Sequence, residues 1–168
     1  MKESDEIKIL VMSDTHGDEV VCNRVIEREL PFDYLIHCGD AQVDPESILA
    51  HREQYGLLAV KGNCDWFVDL PQMLVRRIGF YNILIVHGHK QNVHEGHRYL
   101  LENARQNFAD IVLFGHTHVP EIKHYEEKGV LVVNPGSLTR NRPSGSSGTY
   151  AILTFSEEAL PKARIVKV

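Results

Sequence analysis

The 168-residue chain contains little cysteine, a single tryptophan and no apolar run long enough to cross a membrane. Its three cysteines, Cys22, Cys38 and Cys64, are an odd number at irregular spacing, which argues against a disulfide framework and for a reducing compartment. The N-terminal segment MKESDE is charged and is followed by only six largely apolar residues, so we expect neither a signal peptide nor a membrane span there. A cytoplasmic protein is therefore expected.

The chain also lacks an excess of positive charge. Its 18 lysines and arginines against 23 aspartates and glutamates give a formal net charge of −5, so nucleic acid is a disfavoured partner. A positive cleft could still act locally. The hydrophobic fraction of 43% and the charged fraction of 24% are ordinary for a globular protein. The length fits one domain, residues 1–168, with a core that needs no disulfides.

Short apolar runs bounded by turn residues predict buried strands at several places in the chain. They cover residues 7–12, 34–37, 57–61, 82–86 and 111–114. Helical spacing predicts helices over 18–30 and 94–108, and Asp44-Pro45 is typical of a further helix start. The resulting β-α-β-α-β order predicts parallel strands joined by helical crossovers.

The later part of the chain has a different pattern. Residues 121–127 and 130–133, joined at Lys128-Gly129, predict a hairpin, and residues 149–155 and 163–168 predict strands with no helix between them. We therefore expect a mixed α/β fold with a second, largely antiparallel sheet.

Polar residues stand at the ends of five predicted strands, spaced by roughly one strand and one crossover. They are Asp14-Thr15-His16, Gly39-Asp40, Gly62-Asn63-Cys64-Asp65, His87-Gly88-His89 and Gly115-His116-Thr117-His118. Parallel strands bring such ends to one edge of a sheet, where ligands bind. Imidazole and carboxylate together suit first-row divalent ions, and the set suffices for two adjacent ions that share one carboxylate. Each motif glycine is expected to let the backbone turn sharply.

In this order, the motifs D-x-H, GD, GN-x-D, HGH and GHTH resemble those of the calcineurin-like metallophosphoesterase superfamily. The compact length, the GNCD variant and the segment Asn134-Pro135-Gly136-Ser137 resemble its small bacterial and archaeal phosphodiesterase branch. The resemblance extends from residue 7 to residue 155 or so. It implies a four-layer α/β/β/α fold in which a two-sheet β-sandwich is flanked by helices.

The resemblance also implies two metal sites that share Asp40. The first would use Asp14, His16, Asp40 and His118, and the second Asn63, His87, His116 and Asp40. Two divalent cations would outweigh the two carboxylates and leave a positive site suited to an anionic phosphate and a hydroxide. Mn²⁺ is favoured, and Fe, Co, Ni or Zn are compatible with the mixed nitrogen and oxygen ligands. A metal-bound hydroxide would attack phosphorus in line, without a phosphoenzyme.

Asp40, Asn63, Cys64 and His89 are the catalytic candidates, and Asn63, His89 and Arg140 are the candidate contacts to substrate. Many relatives carry a histidine after the asparagine, where it resembles a general acid. Here that position is Cys64, whose ordinary thiol pKa of about 8.5 makes it a poor substitute. Esters with good leaving groups, such as aryl phosphodiesters, are therefore expected to react faster than alkyl ones.

Several of these residues have alternative interpretations. His89 could contact phosphate, orient a ligand or be structural, and Arg140 could clamp a phosphate or belong to a solvated loop. Asp65 could hydrogen-bond a ligand or cap its turn, and Trp66-Phe67 could line a cleft or shield an interface. His37 is expected in the packing. The remaining histidines outside the motifs are expected in solvent: His51, His94, His97 and His124.

Two functions remain open from the sequence. The first is a metal-dependent phosphoesterase, more specifically a phosphodiesterase, that acts on a small phosphoester. The second is a non-catalytic interaction scaffold, because the compact fold also resembles a subunit of the retromer sorting coat. That scaffold departs from the ligand set at several positions, whereas this chain keeps every one. A homo-oligomer is compatible with either function.

Overall fold

The computed structural model describes residues 6–139, 146–157 and 159–168. Its helices and strands follow in chain order: β1 (Ile7–Met12), α1 (Glu19–Glu29), β2 (Tyr34–His37), α2 (Pro45–Ile48), β3 (Gly56–Ala59), β4 (Met73–Ile78), β5 (Tyr81–Val86), α3 (Arg98–Gln106), β6 (Ile111–Leu113), β7 (Glu121–Tyr125), β8 (Val130–Asn134), β9 (Thr149–Phe155) and β10 (Lys162–Lys167). No helix in these ranges is long and apolar enough to cross a membrane.

The strands form two five-stranded sheets. The first has the order β10-β9-β1-β2-β3, with β1, β2 and β3 parallel and with β9 and β10 antiparallel to their neighbours. The second has the order β4-β5-β6-β8-β7, in which β5, β6 and β8 are parallel between two antiparallel edge strands. The expectation of a largely antiparallel second sheet is wrong, because the last two strands join the first sheet and α3 crosses over between the parallel β5 and β6.

Three apolar clusters define the layers. Along β1, Ile9 and Val11 face the second sheet, whereas Leu10 and Met12 face α1. This alternation is the two-residue period of a strand that is covered on both faces. Leu100 of α3 belongs to a third cluster, on the outer face of the second sheet. The structure therefore confirms the predicted α/β/β/α sandwich.

Local sequence signals account for most element ends. The Asp18 side chain caps α1 by accepting a hydrogen bond from Val21 N at 3.1 Å. The predicted helix 94–108 is shortened to α3, because Gly96 has a φ of 112° and separates it from a preceding 3-10 turn. The strand β4 was not predicted, since Arg76 and Arg77 interrupt its apolar pattern at the sheet edge.

Candidate metal centre

The C-terminal ends of β1 and β2 in the first sheet meet those of β5 and β6 in the second. Backbone hydrogen bonds join the loops: Asp14 N donates to Gly39 O at 2.9 Å, and His16 N donates to Asp40 O at 3.0 Å. Gly115 N donates to His87 O, also at 2.9 Å. The motifs that are distant in sequence therefore converge at one edge of the sandwich, as the parallel strand order predicted.

Backbone strain is concentrated at the predicted metal ligands. Five of the seven have left-handed backbone conformations, with φ of 52° at Asp14, 47° at His16, 56° at Asp40, 70° at His116 and 59° at His118. Residues other than glycine rarely adopt this region, and such strain persists only where the surroundings enforce it. The surrounding structure thus holds the loops in an energetically unfavourable backbone conformation that places these side chains together.

Two motif glycines make room for the carboxylates. A Cβ atom at Gly62 would lie 2.1 Å from Asp40 Oδ1, and one at Gly115 would lie 2.7 Å from Asp14 Oδ2 and 2.0 Å from Ser13 Oγ. Neither glycine has a left-handed φ. The expectation that each motif glycine serves a sharp turn is wrong at these two positions, where the absence of a side chain allows close approach instead.

The Nε2 atom of His87 faces three side-chain oxygen atoms. Its Nδ1 donates to Cys38 O at 2.8 Å, so the neutral ring presents Nε2 as an acceptor. Nε2 lies 3.0 Å from Asn63 Oδ1, 3.4 Å from Asp40 Oδ2 and 3.9 Å from Asp14 Oδ1. Burial alone would lower the pKa of His87, but its contact with Asp40 and the charge of Asp14 raise it. Because His87 Nε2 and these oxygen atoms all carry lone pairs, a proton or a cation must lie between them to offset their repulsion.

Asp14 carries an unsatisfied oxygen atom in the same place. Its Oδ2 accepts hydrogen bonds from Ser13 Oγ at 2.6 Å and from His116 N at 3.1 Å. Its Oδ1 has no hydrogen-bond partner of good geometry, although His118 Nε2 lies 3.2 Å away. Burial by itself would raise the pKa of Asp14, but the imidazoles of His118 and His87 lower it. A buried, ionised carboxylate with a free oxygen fits a divalent cation.

Most of the predicted ligands lie close enough to share ions. Within the described residues, three groups have donor atoms within 4.8 Å of one another: Asp14, His16 and His118; His16, Asp40 and Cys64; and Asp14, Asp40 and His87. Asn63 joins the last group through its contact with His87. His116 is in none of these groups, but its ring packs edge-on against that of His87, with centroids 5.1 Å apart.

Asp65 anchors the loop that carries Asp40. Its side chain is buried and accepts hydrogen bonds from Asp40 N at 2.9 Å, Gly62 N at 2.7 Å and Gln42 N at 2.6 Å. Asp40 Oδ1 in turn accepts a hydrogen bond from Cys64 N at 2.8 Å. Of the two interpretations open from the sequence, the structure supports Asp65 as a cap for the loops.

Comparison with known proteins agrees with the metal-binding arrangement of these side chains. The calcineurin-like phosphoesterase superfamily domain matches residues 7–158. The chain belongs to this superfamily. The probable metallophosphoesterase YsnB of Bacillus subtilis is 32% identical over 154 residues, which cover 91% of this chain and 87% of YsnB. The phosphodiesterase YfcE of Escherichia coli K12 is 24% identical over 163 residues, covering 88% of this chain and 87% of YfcE.

Two solved structures extend the comparison of this calcineurin-like phosphoesterase. A predicted phosphoesterase from Streptococcus pneumoniae superposes with a TM-score of 0.84 at 30% identity, covering 98% of this chain and 91% of the other. Vacuolar protein sorting 29 from Cryptosporidium parvum superposes with a TM-score of 0.71 at 15% identity, covering 97% and 98%. The second likeness shows the fold alone. Together with family membership, the named relatives support a metal-dependent phosphoesterase.

In this superfamily member, Asn134 and Ser137 hold two of the loops that carry the candidate metal ligands. We call these loops, residues 14–16, 39–40, 62–65, 87–89 and 115–118, the metal loops. Asn134 Nδ2 donates to Gly115 O at 3.1 Å and to Thr117 Oγ1 at 3.0 Å. Ser137 Oγ donates to Asp14 O at 2.8 Å. The sequence alone assigned no role to this segment. Its signal in the sequence is its position directly after the predicted strand 130–133.

Three of the remaining candidates lie at or beneath the site. His37 is buried, accepts a hydrogen bond from Gly39 N at 3.1 Å and contacts Thr15 Oγ1 at 2.9 Å, so it packs beneath the loops as expected. His89 is half-buried, and its Nδ1 has no hydrogen-bond partner. Burial and the neighbouring Asp40 raise the pKa of the Cys64 thiol to about 11. Arg140 lies outside the described residues.

Two histidines that were expected in solvent make contacts with other side chains. His94 is exposed, but its ring packs edge-on against that of His116, with centroids 4.8 Å apart. His97 lies between Tyr125 and Glu121, with nitrogen-to-oxygen distances of 2.9 Å and 3.1 Å. The expectation is wrong for His97, which is only partly exposed because it packs against Tyr125 and Glu121 of β7, whereas His94 is exposed as expected.

Proposed function

We propose that this protein hydrolyses phosphodiesters with two divalent cations. The proposed ligands are Asp14, His16, Asp40, Asn63, His87, His116 and His118. The observation that carries the proposal is the Oδ1 atom of buried Asp14, which has no hydrogen-bond partner among the described residues and lies 3.2 Å from His118 Nε2 and 3.9 Å from His87 Nε2. Mn²⁺ is the proposed cation. The cytoplasm is the proposed compartment, since all three cysteines are free.

The protein's own groups would hold the cations and the substrate in place. When bound, divalent cations lower the pKa of a coordinated water molecule and polarise phosphoryl oxygens. The Cys38 carbonyl fixes the His87 ring so that Nε2 faces the site, and Asp65 fixes the backbone of Asp40. Two carboxylates cannot neutralise two divalent cations, so the loaded site would attract an anionic phosphodiester.

Cys64 bears on which esters react. In the metal-free site, burial and the neighbouring Asp40 raise the pKa of its thiol to about 11, which makes it a weaker acid than an ordinary cysteine. The leaving group would therefore depart with little help from this residue. We expect aryl phosphodiesters to react faster than alkyl ones and Cys64→Ser to keep that preference. A strong preference for alkyl esters would contradict this reasoning.

The test is hydrolysis of bis(p-nitrophenyl) phosphate by metal-stripped protein before and after addition of Mn²⁺. Activity should return with the metal, and Asp40→Asn should lose bound metal and most activity together. The exposed Asp69 offers a matched control, Asp69→Asn, which should behave as the wild type. An Asp40→Asn variant with full activity would contradict the shared-ligand assignment.

The second candidate function is a non-catalytic scaffold. The fold shared with vacuolar protein sorting 29 is consistent with it, and Trp66 and Phe67 beside the metal loop are 77% and 101% exposed, as an interface would require. The complete ligand set favours the enzyme. Folded protein that hydrolyses no aryl phosphodiester with Mn, Fe, Co, Ni or Zn would favour the scaffold.

A further inference from the structure

A cavity of about 600 Å³ lies beside the C-terminal end of α3. Its apolar lining includes Leu101, Phe108 and Val130, and three exposed cationic residues surround it: Arg98, Arg105 and Lys128. We call this cavity the α3 groove. Its volume falls within the range of small-molecule binding sites.

Phe108 occupies a position that ordinarily belongs to glycine. At the end of α3, Ala109 N donates to Ala104 O at 2.9 Å and Phe108 N donates to Arg105 O at 3.4 Å, which is a Schellman motif. The φ of Phe108 is 53°, a conformation that a Cβ atom disfavours. The phenyl group gains little from burial in return, since it is 82% exposed. Strain of this kind, kept at a solvent-exposed aromatic, is typical of a binding position.

The charges around the α3 groove favour an anion. Its two carboxylates are already engaged: Glu102 accepts hydrogen bonds from Arg105 at 2.8 Å and Gln106 at 2.9 Å, and Asp110 accepts one from Asn82 N at 2.8 Å. Arg105 is itself paired with Glu102, so Arg98 and Lys128 are the two cationic side chains of the groove that have no ion pair among the described residues, on a chain whose formal net charge is −5. An anion would find this groove more favourable than the average surface.

We propose that the α3 groove binds a small aromatic anion, with the ring against Phe108 and the phosphate, sulfonate or carboxylate group near Arg98 and Lys128. Aromatic side chains bind planar rings by stacking, and guanidinium groups recognise such anions through paired hydrogen bonds.

This site is separate from the candidate metal centre. Asp110 precedes β6 and Val130 begins β8, whereas His116 follows β6. The two sites therefore lie at opposite ends of the parallel strands of the second sheet, roughly 15 Å apart along the strand direction. A ligand in the α3 groove would not contact the proposed metal ligands, so this proposal stands or falls independently of the proposed phosphodiesterase activity.

The test uses the dye anilinonaphthalene sulfonate, which combines aromatic rings with an anionic group. We expect saturable binding to one site per chain, seen as a fluorescence increase that a chelator does not abolish. Phe108→Gly should weaken binding by about tenfold or more, and Arg98→Gln should weaken it as well. Because glycine suits the backbone at this position, the Tm of Phe108→Gly should be no lower than that of the wild type.

Phe80→Ala is the matched control, since this phenyl group is 53% exposed in the turn between β4 and β5. It should leave the dye affinity unchanged. In NMR spectra, the amide signals of Gly129 and Val130 should shift on binding, while those of the metal loops should not. Wild-type affinity in Phe108→Gly, or shifts confined to the metal loops, would overturn the proposal.

Discussion

Replacement of Asp65 by asparagine tests whether the metal loops depend on one buried carboxylate. In the protein, Asp65 Oδ2 accepts hydrogen bonds from Asp40 N and Gly62 N, and Oδ1 accepts one from Gln42 N. The asparagine oxygen can keep the first pair, but its amide group then points a donor at Gln42 N–H. A charge-assisted hydrogen bond is lost and a backbone donor is left unsatisfied, at a cost of about 2–4 kcal/mol. The expected fall in Tm is roughly 5–15 °C.

The same substitution should weaken metal binding. Asp65 ties the backbone of Asp40 to that of the loop carrying Asn63, and outer partners of metal ligands typically contribute about 10- to 100-fold in affinity. Stability is measured by thermal unfolding in the presence of a chelator, and Mn²⁺ affinity is measured separately by calorimetry. Asp69→Asn, at an exposed position, is the control. If Asp65→Asn matches this control in both measurements, the anchoring role is refuted.

Two further predictions concern packing and pH. Gly62→Ala should abolish metal binding, measured as metal content after dialysis, because its Cβ would lie 2.1 Å from Asp40 Oδ1; full metal occupancy would contradict the close-approach argument. Burial lowers the pKa of His37 to about 4, so its stabilising contribution is complete above the unfolded-state pKa of about 6.5 and is lost as pH falls toward 4. In chelator, the unfolding free energy of the wild type should fall relative to that of His37→Gln by about 2–3 kcal/mol over this window, and parallel pH curves would contradict this.

Much of the fold follows from local sequence patterns. The bounds of β1 and β2 match the predicted runs 7–12 and 34–37, because strands covered on both faces are apolar throughout. The edge strand β4 is half-exposed and carries Arg76 and Arg77, so it has no such pattern. The pairing of β9 with β1 depends on contacts between residues far apart in the chain, which no local pattern encodes.

The candidate site also has a part that the sequence predicts and a part that it does not. The ligands occur in short motifs at strand ends, so their convergence follows from the parallel strand order. The positions of the groups that hold these ligands in place do not follow from the strand order. Asp65 accepts hydrogen bonds from the backbone N–H groups of Asp40 and Gln42. Asn134 and Ser137 donate hydrogen bonds to backbone carbonyl groups in the loops after β6 and β1. These roles depend on backbone positions that only the folded structure defines.

The number of divalent ions bound per chain tests the central claim most directly. Metal-stripped protein equilibrated with Mn²⁺, freed of excess and analysed by elemental mass spectrometry should hold two ions per chain. His116→Ala and His118→Ala should each lower the content, since the two histidines are assigned to different sites. Two ions in the wild type is the result that this account predicts, and a single ion or none in folded wild-type protein would contradict it.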